Sequence, residues 1–282
     1  MTDSSTLLNS HDHSRDAAGL LYVYPVVSRR AGGVSVGINL NPNNACNWRC
    51  LYCQVPDLVR GTAPAIDLAR LESELRGFLR ELLSGDFMRL RVPADMRRIV
   101  DVAFSGNGEP TSAREFPDAV ATVALVLKDL CLELPVRLIT NGSLVHRPTV
   151  QRGLALLARC GGEVWFKLDA ASPERTAAIN GVRLDPQKVM RRLRLCAHAC
   201  PTWVQTCLFA LDGAGPGDDE LGAYLEILSG AGIPALKGVL LYGLARPSMQ
   251  PGGDRLSPLS RQDMERIAAQ IKNQGLRVKL SP

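Results

Sequence analysis

Three cysteines lie within eight residues: Cys46, Cys50 and Cys53, in the run Asn43-Asn44-Ala45-Cys46-Asn47-Trp48-Arg49-Cys50-Leu51-Tyr52-Cys53. Thiolates are soft ligands that suit iron–sulfur clusters and zinc. A structural zinc site needs a fourth Cys or His at short spacing. None is present: the next Cys is Cys131, and no His lies between His13 and His146. Three thiolates in one short loop can instead hold three irons of a [4Fe–4S] cluster and leave the fourth iron open to a ligand. Asparagine-rich flanks and the lack of an apolar period argue against three unrelated buried thiols. Other reactive types gather where apolar runs end. Ser105-Gly106-Asn107-Gly108-Glu109 follows Ile99–Phe104. Glycine lets a backbone approach a ligand closely, and free N–H and C=O groups there can bind the ammonium and carboxylate of an amino acid. Thr140-Asn141-Gly142 and Lys167-Leu168-Asp169 close two further runs. An Asp accepts from hydroxyls, and a Lys meets a carboxylate.

The Cys-x3-Cys-x2-Cys spacing, with Tyr52 just before the last Cys, resembles the radical S-adenosylmethionine (SAM) superfamily. The resemblance covers about residues 34 to 247. It implies that the open iron binds the amino and carboxylate groups of SAM and that Tyr52 lies near the adenine. Gly106, Asn107, Gly108 and Glu109 match the family's Gly-Gly-Glu position, with Asn107 in place of a small residue. Family members hold SAM with side chains on the next two strands, which carries over to Asn141, Asp169 and Lys167. Both Glu109 and Asp169 are then expected to face the cavity of the cysteine loop, with Asp169 accepting from the ribose hydroxyls. Backbone contact to adenine and a substrate-facing Arg246 are expected in Tyr242-Gly243-Leu244-Ala245-Arg246-Pro247.

The activity so implied is one-electron cleavage of SAM to a 5′-deoxyadenosyl radical, with an electron donor such as flavodoxin or ferredoxin. The motif wording is most similar to the wyosine-type branch, which rebuilds a guanine in transfer RNA. The chain lacks that branch's further cysteines before Cys46 and its flavodoxin-like domain. The expected substrate is RNA or a nucleobase-like molecule. A small metabolite or a peptide is the alternative. An iron–sulfur electron carrier or redox sensor is a third reading, disfavoured because a carrier needs no Glu109 or Asp169.

The elements that must position these residues follow from periodicity. Val34–Leu40 alternates as a strand, and the cysteine loop follows it directly. Leu68, Leu71, Leu75, Phe78, Leu79 and Leu82 recur at helical spacing behind Asp67 as N-cap. Strands are expected at Ile99–Phe104, Val136–Thr140, Val164–Asp169, Trp203–Leu211 and Leu236–Leu244. Helices are expected at Pro117–Asp129, Pro148–Arg159, Pro186–Ala199 behind Asp185, and Asp219–Ser229. A last helix runs from Ser260 to before Gly275, and Leu276–Leu280 reads as a terminal strand. Leu20–Tyr24 reads as an entry strand. Such alternation means parallel strands with helices outside. It leaves an open doubly wound sheet and a partial barrel both standing. The family resemblance selects the partial (β/α)6 TIM-like barrel, within an α/β class.

Residues 1–18 read as a flexible polar tail, with His11 and His13 solvated, and 19–282 as one domain. Cys196 and Cys200 fall on the apolar face of one helix and Cys207 in mid-strand, so all three read as core, as do Cys131 and Cys160. Arg89, Arg91, Arg97 and Arg98, and then Arg191, Arg192 and Arg194, read as solvated faces. Net charge is +5 over 282 residues, mild enough to permit an anionic partner without requiring one. No apolar run reaches the ~18 residues of a membrane span, and no secretory signal is visible. Eight cysteines without such a signal fit a reducing cytoplasm.

Overall fold

A computed structural model describes residue 8 and residues 18–28, 32–244 and 246–282. The expected tail, with His11 and His13, lies outside the described residues apart from Leu8 and Ala18. Leu8 is buried, and its N–H donates to the Arg91 carbonyl at 2.7 Å.

The chain alternates strand and helix from end to end. Its strands are β1 (Val23–Ser28), β2 (Gly33–Ile38), the short β3 (Ala45–Cys46) and β4 (Val59–Arg60), β5 (Ile99–Phe104), β6 (Val136–Thr140), β7 (Glu163–Lys167), β8 (Thr202–Leu208), β9 (Ala210–Leu211), β10 (Leu236–Gly243), β11 (Leu256–Ser257) and β12 (Val278–Ser281). The helices are α1 (Leu68–Ser84), α2 (Phe87–Arg91), α3 (Phe116–Asp129), α4 (Pro148–Arg159), α5 (Pro173–Asn180), α6 (Pro186–Ala199), α7 (Asp218–Ala231) and α8 (Arg261–Asn273).

The main sheet has the order β1-β2-β5-β6-β7-β8-β10-β12. Only β1 is antiparallel to its neighbour, β2. From β2 onward the order is the chain order, with no reversal. That distinguishes the two architectures left open by periodicity: a doubly wound sheet reverses direction at a switch point, and this one does not. Every right-handed crossover therefore puts its helix on the same side. Accordingly α1 packs on α3, α3 on α4, α4 on α6 and α6 on α7. The sheet curls into a half-barrel with helices on its convex face.

Alternation decides what each face carries. Val102, Phe104, Leu138, Val164, Phe166 and Val204 point outward and are buried under the helices. Asp101, Arg137, Ile139, Trp165, Lys167, Gln205 and Cys207 point to the concave face. The helix stops and starts follow local chemistry. Asp67 caps α1 by accepting from the Arg70 N–H, Asp185 caps α6, and Ser260 caps α8.

Several elements differ from expectation: the entry strand is Val23–Ser28 rather than Leu20–Tyr24, and α2 and the short β3, β4 and β11 were not expected. The run Trp203–Leu211 divides into β8 and β9, because β9 leaves the main sheet to pair with β11. An additional helix, α5, fills the segment after Asp169. Its signal was present in Ser172-Pro173: Ser172 accepts from the Arg175 N–H, and proline stands at the first turn. The two arginine groups lie away from the concave face. Arg97 and Arg98 donate to the carbonyls of Val92 and Gly32, Arg89 pairs with Asp86, and Arg194 donates to Gly230. Among the described residues no helix is long and apolar enough to cross a membrane.

Candidate active site

The loop after β2 is held on every side. On one flank, α5 presents its last carbonyls: the Arg49 N–H donates to Asn180 at 3.0 Å and the Leu51 N–H to Ile179 at 2.7 Å. On the other, the Met249 N–H donates to the Cys53 carbonyl, Ser248 Oγ to Leu51 and Gln250 Nε2 to Val55 at 2.7 Å. The asparagines of the loop tie it to the strand ends. Asn44 Oδ1 accepts from Asn107 Nδ2 at 2.6 Å, and Asn47 Oδ1 from Asn141 Nδ2 at 2.8 Å. Asn41 Nδ2 donates to the Ala45 carbonyl at 2.9 Å. Asn39 Oδ1 accepts from the backbone N–H of both Asn41 and Asn107. The turn after β5 lies directly against this loop. Gly106 has φ +144°, and a Cβ on Gly108 would overlap the Ala45 carbonyl oxygen. Only glycine fits both positions.

These constraints gather Cys46, Cys50, Cys53, Tyr52, Gly106, Gly108, Glu109, Asn141 and Lys167 around one cavity of about 560 Å³ at the C-terminal end of the sheet. Arg246 also lines it, with Nη1 donating to Gln54 Oε1 at 3.3 Å. Asn107 and Asp169 lie behind its wall. Asp169 therefore departs from the expected orientation. Its Oδ2 accepts from Tyr52 Oη at 2.5 Å and Asn180 Nδ2 at 3.1 Å, and its Oδ1 from the Cys207 N–H at 3.0 Å, with Lys167 Nζ 3.5 Å away. With both oxygens engaged by the protein and the side chain buried, it is a hub behind the wall.

Glu109 is likewise saturated. It accepts from Thr111 N–H and Oγ1, from Thr140 Oγ1, and from the Asn141 N–H at 2.7 Å. Burial pushes its carboxyl up from the ordinary range, against these donors. Its carboxylate joins the ends of β5 and β6 and shapes the glycine turn.

Lys167 Nζ donates to Tyr242 Oη at 2.9 Å and lies 5.0 Å from the Tyr52 ring centroid. Burial, the largest single influence, pulls its ammonium down, but the Asp169 carboxylate together with Tyr242, Cys207 and Cys50 makes the net shift upward. Burial also raises Tyr52 well above its usual range, so it stays a neutral donor to Asp169.

Two of the thiols meet N–H donors, and Cys46 Sγ also donates to Asn47 Oδ1 at 4.0 Å. Cys46 Sγ accepts from the Trp48 N–H at 3.5 Å, and Cys50 Sγ from Asn180 Nδ2 at 3.4 Å. Burial raises Cys46 to about 11 and Cys50 to about 12, the latter also by the Asp169 charge. Loading a metal here must release protons. Among the described residues no three Cys, His, Asp or Glu side chains close on a single ion. An iron–sulfur cluster has no such requirement, because each thiolate reaches its own iron. Three thiols on one cavity, sulfur-directed N–H donors and a glycine turn free of side chains suit a cluster. Behind the wall, the buried Asn107 Oδ1 has no partner among the described residues.

The structure brings in residues that spacing did not reveal. Asn180 is 130 positions from Cys50, and only the missed α5 delivers it. Cys207 packs with Ala170, Ile179 and Phe209 yet also lines the cavity, so it belongs to the wall as well as the core. Cys196, on α6, and Cys200, at its end, are buried, as the helical spacing predicts.

Residues 40–228 match the family model described as the Radical SAM superfamily. Two curated proteins match over 132 residues: a UPF0026 protein of Helicobacter pylori at 30% identity and a protein named GTPase Obg of Brachyspira hyodysenteriae at 27%. The matched stretch is 46% and 47% of this chain, and 37% and 17% of those proteins. The chain thus spans well under half the length of either. The solved structure of histidine-tagged anSMEcpe with bound AdoMet is similar over 86% of this chain and 62% of its own, with TM-score 0.54 at 18% identity. That likeness is one of fold.

Proposed function

The chain belongs to the radical SAM superfamily, and from that premise we propose that it is an enzyme that binds one [4Fe–4S] cluster through Cys46, Cys50 and Cys53 and cleaves SAM reductively. The observation that carries the proposal is the convergence of these cysteines with the glycine turn on one cavity. The cluster, when bound, supplies the electron that releases a 5′-deoxyadenosyl radical from SAM. The chain's own residues bind, orient and shield. The Gly106–Glu109 turn receives the methionine end of SAM, with Asn107 supporting the turn from behind the wall. Asn141 and Tyr52 line its path, and Lys167 holds Tyr52 and Tyr242 in place. Asp169 acts behind the wall, fixing the Tyr52 ring. The electron comes from a donor such as flavodoxin or ferredoxin.

The substrate class we propose is RNA or a nucleobase-like molecule, in keeping with the mildly basic chain. The resemblance to the wyosine-type branch gains no support from the relatives found, and the proposal does not depend on it.

Anaerobically reconstituted protein should carry about four irons per chain and, with dithionite and SAM, yield 5′-deoxyadenosine by mass spectrometry. A loaded cluster without that product would instead make the protein an electron carrier. Iron near twice that content, surviving desalting, would demand a second cluster.

Asn180 provides a sharper test of the loop's surroundings. Hydrogen bonds to cluster sulfurs set the reduction potential. Asn180→Leu should keep its iron but shift the cluster's midpoint to more negative potential in an EPR-monitored titration. An unchanged midpoint would mean that the amide serves Asp169 alone.

A further inference from the structure

Two polar groups on the concave face are not used by the cysteine loop or its supports. Gln205, in the middle of β8, is only 6% exposed. Its side-chain amide lines the cavity and has no hydrogen-bond partner among the described residues. An amide that faces the cavity with no protein partner keeps its donor and its acceptor available to a ligand. Lys279 stands on the edge strand β12, exposed but lining the same cavity. Its ammonium lies 4.5 Å from the Trp203 ring centroid and meets no carboxylate among the described residues. The neighbouring cations differ: Arg137 pairs with Asp101 and Glu163, and Lys167 with Asp169.

The sheet register relates the two groups. Gln205 is opposite Leu240, and Leu240 is opposite Lys279. At strand spacing the two backbones are about 10 Å apart. Trp165 lies on the same face of β7, diagonal to Gln205, whose direct partner there is Lys167. The Asp101–Arg137–Glu163 network occupies the strand ends opposite the cysteine loop, so Gln205 lies between it and the loop, while the Lys279 ammonium, over Trp203, lies beside it.

We propose that this part of the cavity is the substrate pocket and that it takes a nucleotide, with the base edge paired to Gln205 and the phosphate at the rim on Lys279. The proposal rests on the function argued above and narrows its substrate class. A primary amide presents one donor and one acceptor side by side, the complement of a nucleobase edge. The Trp165 indole, held by Glu163 at its N–H and by the Arg137 guanidinium 4.9 Å from its ring centroid, gives a fixed aromatic wall on the cavity. An amide held deep and a cation held at the mouth suit a base inserted with its backbone left outside, as in enzymes that act on an extruded base. An acidic peptide also offers an amide and an anion, but it has no ring for the indole.

The test uses equilibrium dialysis of anaerobically reconstituted protein with SAM present, at low salt. The probes are the four ribonucleoside 5′-monophosphates and their nucleosides. At least one nucleotide should bind about tenfold more tightly than its nucleoside, and Lys279→Met should remove that difference. Gln205→Met should weaken nucleotide and nucleoside alike, also by about tenfold. SAM affinity and iron content should be unchanged in both variants. Lys279 is exposed, so its variant folds whatever becomes of the other. Binding of no nucleotide, equal binding by wild type and Lys279→Met, a loss of SAM affinity in Lys279→Met, or binding of alanyl-glutamate in place of every nucleotide would each overturn the proposal. Failure of the parent reading is distinct: wild-type protein would then form no 5′-deoxyadenosine, whatever nucleotides it binds.

Discussion

Cys50→Ala should leave the protein without its cluster and reduce 5′-deoxyadenosine formation to the protein-free background. Of the three proposed ligands, Cys50 is the most embedded in its surroundings. Its sulfur accepts from Asn180, and the N–H groups on either side of it, on Arg49 and Leu51, are fixed to the last carbonyls of α5. Neighbouring thiols are no substitute. Cys196 and Cys200 lie on the convex side of the sheet, on α6 and at its end, and Cys207 is held in the wall by its own N–H to Asp169. Cys196→Ala is the control: it should keep iron and activity and cost about 1 kcal/mol of packing. The readouts are iron content, visible absorption and product yield after anaerobic reconstitution. Retention of a full cluster by Cys50→Ala, or bleaching in a folded Cys196→Ala, would overturn the assignment.

The second large effect is on stability. Asp169 neutralises Lys167 and accepts from Tyr52, Asn180 and the Cys207 N–H. Asp169→Ala strands a buried ammonium and three donors at once. Breaking one partner of such a buried pair costs roughly 3–5 kcal/mol, which for a chain of this size lowers the melting temperature by roughly 10 °C. Asp169→Asn keeps an acceptor and should recover part of the loss. Calorimetry of the apo-protein measures this without the cluster. If Asp169→Ala instead melted like wild type and had lost only SAM affinity, the carboxylate would be a direct SAM ligand.

The cysteine loop was legible because its information is local: three residue types at fixed spacing. The parallel α/β class was legible as alternation, since each strand and helix carries its own period and caps, and the family resemblance selected the half-barrel. Its closure in one direction was not, because strand order is a property of crossovers rather than of any segment. Asp169 was placed correctly at a strand end and yet misread in orientation. Its partners Tyr52 and Asn180 lie 117 and 11 positions away, and nothing in a neighbouring triplet reports them. Helix α5 escaped because Pro173–Asn180 is short and offers only Thr176, Ile179 and Asn180 as buried residues. A helix so small has no apolar stripe to detect.

The double flanking of the cysteine loop bears on how the protein survives damage. Small metal domains collapse when stripped, because their ligands are organised only by the metal. Here the loop backbone is pinned by α5 on one side and by residues 248–250 on the other, and its asparagines are pinned by the strand ends. None of those bonds involves iron. The cradle would therefore keep its shape if the proposed cluster were lost, and reloading would amount to refilling a standing receptacle without refolding a chain.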